Sequence, residues 1–103
     1  MPTQITTPEA ERILATLRPH LSELKAQYGV ARLGIFGSYV RGEQHASSDL
    51  DVLVGFERTP TLFQLARLQR YLGSLIGIEV DLVLERDLKP GIGKNILAEV
   101  VYA

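Results

Sequence analysis

Apolar and polar residues alternate along the chain with two periods, and the changes of period divide it into elements. Thr7-Pro8 reads as an N-cap followed by a first helical residue. Ile13, Leu14, Leu17, Leu21, Leu24 and Tyr28 then recur at helical spacing and form one apolar stripe. Pro19 interrupts that stripe and predicts a kink or a division into two helices, and Gly29 predicts the stop. Ala31 to Phe36 reads as a short buried strand ending at Gly37. Leu50 to Phe56 reads as a second strand, apolar on both faces and so central in its sheet. Thr59-Pro60 or Thr61 can cap a further helix that buries Leu62, Phe63, Leu65, Ala66, Leu68, Leu72, Leu75 and Ile76 and ends at Gly77. Ile78 to Leu84 predicts a third strand and Lys94 to Val101 a last amphipathic helix. The order predicts an α/β or α+β fold, a small mixed β-sheet packed with helices.

Composition adds limits to this picture. No repeat, linker or low-complexity tract divides the 103 residues, so residues 1–103 are expected to form one domain. The absence of cysteine removes disulfides, thiolate nucleophiles and cysteine-held zinc together, and fits a reducing cytoplasm. Met1 to Ile5 carries no basic stretch leading into an apolar run, so no signal peptide is expected. The apolar runs are too short to span a membrane. Eleven Lys and Arg against twelve Asp and Glu leave no basic excess for gripping extended nucleic acid. A small anionic ligand or a protein partner suits this charge better.

The chemistry concentrates in Gly37-Ser38-Tyr39-Val40-Arg41-Gly42 and Ser48-Asp49-Leu50-Asp51. Side chains alternate across a strand, so Asp49 and Asp51 project to one face. Two such carboxylates repel each other unless a cation joins them, and Mg²⁺ prefers one or two carboxylates together with substrate phosphates. A strand running through Gly37-Ser38 into a helical turn would present backbone N–H groups to a phosphate. Ser38 can add its hydroxyl, and Arg41 can either neutralise phosphate or pair with an acidic neighbour. Asp81 interrupts the apolar strand from Ile78 to Leu84. If that strand lies beside the first pair, Asp81 faces the same metals. Two ions could then clamp an in-line displacement, with Asp81 helping to deprotonate the attacking hydroxyl.

Other polar residues have plainer readings. Asp49, Asp51 and Asp81 could each be solvated strand ends, and Asp87, before an expected turn, is a rival to Asp81. Ser48 reads as a turn cap. His20 and His45 are isolated and read as surface residues. Tyr28, Tyr39, Tyr71 and Tyr102 read as packing residues, with Tyr39 close enough to the loop to touch a nucleotide.

Gly-Ser, ten residues, Asp-x-Asp and an isolated strand aspartate together resemble the DNA polymerase β-like nucleotidyltransferase superfamily, and within it the minimal nucleotidyltransferase (MNT) group. The segments Val80-Asp81-Leu82-Val83, Leu88-Lys89-Pro90 and Ile96 to Tyr102 extend the resemblance over most of the chain. It implies metal-binding carboxylates at Asp49, Asp51 and Asp81, with Gly37 and Ser38 at the triphosphate. It also implies an antitoxin paired with a HEPN-domain ribonuclease toxin, transferring AMP from ATP to a toxin tyrosine. A non-catalytic antitoxin that neutralises its partner by docking is the alternative. Transfer to a small hydroxylated molecule ranks behind both, because so short a chain has little room for an acceptor pocket.

Overall fold

The computed structural model describes residues 7–103; the Met1 to Ile5 segment examined for a leader lies outside them. Among the described residues five α-helices and four strands follow one another: α1 (Pro8–Leu17), α2 (Leu21–Tyr28), β1 (Val30–Phe36), α3 (Ser38–Arg41), β2 (Leu50–Phe56), α4 (Leu62–Ile76), β3 (Val80–Leu84), α5 (Ile92–Glu99) and β4 (Val101–Tyr102). Single 3₁₀ turns at Arg18–His20 and Glu85–Asp87 complete them. The sheet order is β3-β2-β1-β4. β1 pairs antiparallel with β2 and with β4, while β2 and β3 run parallel, joined through α4. The architecture is the small mixed sheet packed with helices that the hydrophobic pattern predicts.

Local chemistry explains most boundaries. The Thr7 hydroxyl accepts from Ala10 N–H at 3.0 Å, with Pro8 at the first helical position. Pro19 cannot continue the hydrogen-bond ladder, and the predicted helix divides there into α1 and α2 across the 3₁₀ turn. Gly29 closes α2 in the left-handed conformation at φ 70°. Of the two sites proposed for the cap of α4, Thr61 takes the role, forming a reciprocal capping box with Gln64 at 3.1 and 2.9 Å.

The two faces of the sheet are unequal. Leu50, Val52 and Val54 of β2 point with Leu33 and Ile35 of β1 into the main core, where Leu14, Leu17, Leu24, Leu68 and Leu72 seal them. A bulge between Val30 and Arg32 changes the phase of β1, so that Val30 also faces this core. The opposite face carries a smaller cluster of Phe36, Leu53 and Val100, flanked by Val83, Leu88 and Ile96.

Two sequence expectations are corrected. The last helix ends at Glu99, and Val101-Tyr102 leaves it to pair with Gly34 and Ile35 on the free edge of β1. In α4, Leu62, Phe63 and Ala66 are exposed rather than buried. At 3.6 residues per turn Phe63 lies about half a turn from Leu72, on the side away from the core. Leu68 and Leu72 are the fully buried residues of α4, so Leu72→Ala is expected to cost about 2–5 kcal/mol. The shift of the urea midpoint at unchanged slope measures it.

Candidate active site

Register decides which acidic residues meet. The parallel pairing of β2 and β3 sets Asp51 directly opposite Asp81, on the face that α5 partly covers. Asp49 stands just before β2, two residues from Asp51. Asp51 is half-buried, whereas Asp49 and Asp81 are exposed. Asp87 falls in the 3₁₀ turn after β3, at the opposite end of that strand from Asp81. His45 bonds only locally, its ring to Ser47 and its backbone to Ser48, among the described residues, and His20 packs against Tyr71 near Glu23.

The loop joining β1 to α3 reaches the same place. Phe36 pairs with Asp51 across the antiparallel ladder, so the chain turns at Gly37 beside the carboxylate. Gly37 adopts φ 85°, and a Cβ there would overlap Asp51 Oδ2. Glycine is therefore required twice, for conformation and for close approach. Ser38 opens the short helix α3. Its Oγ makes no hydrogen bond among the described residues, and the N–H groups of Ser38 and Tyr39 are likewise left over by the helix. Buried Tyr39 donates its hydroxyl to the Ser48 carbonyl at 3.3 Å and so links the loop to the segment carrying Asp49. Ser48 caps its own turn, accepting from His45 N–H at 2.9 Å.

Arg41 takes the salt-bridge option. Its guanidinium donates to Glu43 and to Glu99, each at 2.8 Å, and these partners raise its already high pKa. Glu99 is the residue that sequence reasoning missed. One carboxylate oxygen accepts from Gly37 N–H at 2.5 Å while the other receives Arg41.

The electrostatics are those of crowded acid. Burial and the adjacent Asp81 carboxylate push the Asp51 carboxyl above its ordinary pKa; Arg41 opposes this, and Asp49 and Glu99 add to it. Among the described residues no group of three His, Cys, Asp or Glu side chains is gathered closely enough to hold an ion. Asp49, Asp51 and Asp81 are electrostatic neighbours, not a closed cage. Such an open, all-oxygen set fits Mg²⁺, which keeps several waters and takes substrate phosphates as ligands.

Comparison with known proteins gives the family. The profile of the nucleotidyltransferase domain family matches residues 17–103. The protein adenylyltransferase MntA of Thermococcus cleftensis is 49% identical over 92 residues, covering 89% of this chain and 93% of that one. A Methanocaldococcus jannaschii protein assigned the same activity is 45% identical over 87 residues, 84% of this chain and 89% of that one. A solved structure assigned as a minimal nucleotidyltransferase superposes with TM-score 0.75 at 42% identity, over 90% of this chain and 94% of the other. A chain from a toxin–antitoxin crystal structure with AMP-PNP superposes with TM-score 0.65 at 25% identity, over 90% of this chain and 70% of the other.

Two outcomes follow from the site. Because the folded state raises the Asp51 pKa, this group favours folding below the unfolded carboxylate range and works against it as pH rises through the folded pKa. Asp51→Asn should therefore raise the Tm of metal-free protein at neutral pH, with the gain fading below about pH 4. Equal Tm values for the two proteins across that range would contradict the crowded-acid account. Gly37→Ala should lose about 1–3 kcal/mol from backbone strain alone and weaken nucleotide binding further, measured by denaturation and by calorimetric titration.

Proposed function

The chain belongs to the nucleotidyltransferase domain family, and on that premise we propose that it transfers AMP from MgATP to a tyrosine hydroxyl of a partner HEPN ribonuclease toxin, and so acts as its antitoxin. The observation that carries this is the meeting of Asp51, Asp81 and the Gly37-Ser38 loop at one end of the sheet. It occurs in a chain that is nearly half identical to a protein adenylyltransferase. Similarity to a chain of a toxin–antitoxin complex with an ATP analogue supports the nucleotide and the protein partner together.

The residues divide the work as follows. The Ser38 hydroxyl and the N–H groups of Ser38 and Tyr39, without partners among the described residues, receive the triphosphate. Gly37 lets the loop close on Asp51. Asp49, Asp51 and Asp81 would hold Mg²⁺, one ion or two, whose chemistry is to offset charge on the phosphates. The tyrosine oxygen attacks the α-phosphorus, the bond from that phosphorus to the bridging oxygen breaks, and pyrophosphate leaves. Asp81, exposed on the edge strand, takes the tyrosine proton. A cysteine-free chain suits a reducing cytoplasm.

A second reading has its own observation. Leu62, Phe63, Ile92 and Leu97 are exposed, and such side chains suit docking to a protein that is neutralised without chemistry. The partner toxin, incubated with the protein, Mg²⁺ and α-labelled ATP, separates the two. We expect label on the toxin with the wild type and none with Asp49→Asn/Asp51→Asn. Protection of cells by the double mutant at normal expression would give the role to docking.

A further inference from the structure

We propose that Glu99 is a positioning residue of the nucleotide site, a strut from α5 that holds the Gly37-Ser38 loop and Arg41 in place; this rests on the nucleotidyltransferase reading above. The argument begins with the two bonds made by one carboxylate. Glu99 Oε1 accepts from Gly37 N–H at 2.5 Å, and Glu99 Oε2 accepts from Arg41 Nη1 at 2.8 Å. Both are charge-assisted, the stronger class of hydrogen bond. They bracket α3, one at the glycine before it and one at its last residue. The Gly37 bond fixes the peptide that turns beside Asp51, where any side chain would collide.

A carboxylate on a phosphate loop could instead be a stand-in that leaves when nucleotide arrives. The surroundings of Glu99 argue for the strut. Val100, the next residue, is buried against Phe36 and Leu53, and the space above Gly34 is filled by its Cγ2. Val101 and Tyr102 are then held in the ladder with β1. On the other side Val100 N–H bonds back to the Ile96 carbonyl, closing α5. With the backbone held on both sides of Glu99, only side-chain rotation could take the carboxylate away, and that would break both hydrogen bonds. Gly37 N–H is thus committed to Glu99, and the donors left for phosphate are those of Ser38 and Tyr39.

The test compares wild type, Glu99→Ala, Glu99→Gln and Glu43→Gln by calorimetric MgATP binding, by kcat and KM for transfer, and by amide exchange at Gly37 without nucleotide. Glu99→Ala should weaken MgATP binding and raise KM about tenfold, the loss expected of a charged hydrogen bond, and should speed Gly37 exchange. Glu99→Gln keeps an acceptor for Gly37 N–H and should recover part of both, and it carries the test if the alanine variant does not fold. Glu43→Gln removes the charge of the more exposed partner of Arg41 and should leave MgATP affinity within about twofold of wild type. Wild-type affinity in Glu99→Ala, with Gly37 exchange unchanged, would overturn the strut. Tighter binding in Glu99→Ala would overturn it too, because it would show a competing occupant. Wild type that binds none of the four nucleoside triphosphates would overturn the nucleotide reading itself, and the positioning role with it.

Discussion

Like charges held side by side in a partly dry setting resist folding, and the parallel register of β2 and β3 imposes that arrangement on Asp51 and Asp81. Only a scaffold that is stable elsewhere can hold such a pair. β2 is an interior strand, laddered on both sides, and Leu50, Val52, Leu53 and Val54 are fully buried around the acid. In the nucleotidyl transfer proposed above, that repulsion would turn into affinity when a cation and a phosphate arrive.

The sheet separates stability from chemistry by face. α1, α2 and α4 close the larger apolar core on one side, with no buried polar or charged residue among those described. The other face has a small apolar cluster under α5, and the acids emerge where that cover runs out. Charge can therefore accumulate at the site without disturbing the packing that holds the fold.

What the sequence makes legible is whatever local chemistry decides. Thr7, Pro19, Gly29 and Thr61 act within a turn or two of themselves, and each boundary they predict is present. The Gly37-Ser38 loop and the aspartates are visible because their spacing is local as well. Three features depend on distant partners and are not legible. Val101-Tyr102 has apolar spacing that continues a helix, and only the open edge of β1 draws it into the sheet. Leu62 and Phe63 look buried because they are apolar, but which face of the helix meets the core is decided by the packing of Leu68 and Leu72 against distant elements. Glu99 lies 62 residues from Gly37, and no pattern in its own segment reports that contact. Asp81 is intermediate: its strand is visible, whereas its place opposite Asp51 needs the topology.

The two central acids are mounted differently. Asp51 sits on a strand fixed from both flanks and is half-buried; Asp81 sits on β3, an edge strand with neighbours on one flank, and is exposed. One acid is clamped between two ladders and the other hangs from a single one. The loop follows β1, on the far side of β2 from β3. Of the two carboxylates, the one on the outer strand is therefore the one open to an approaching group, while the inner one is shielded by its neighbours.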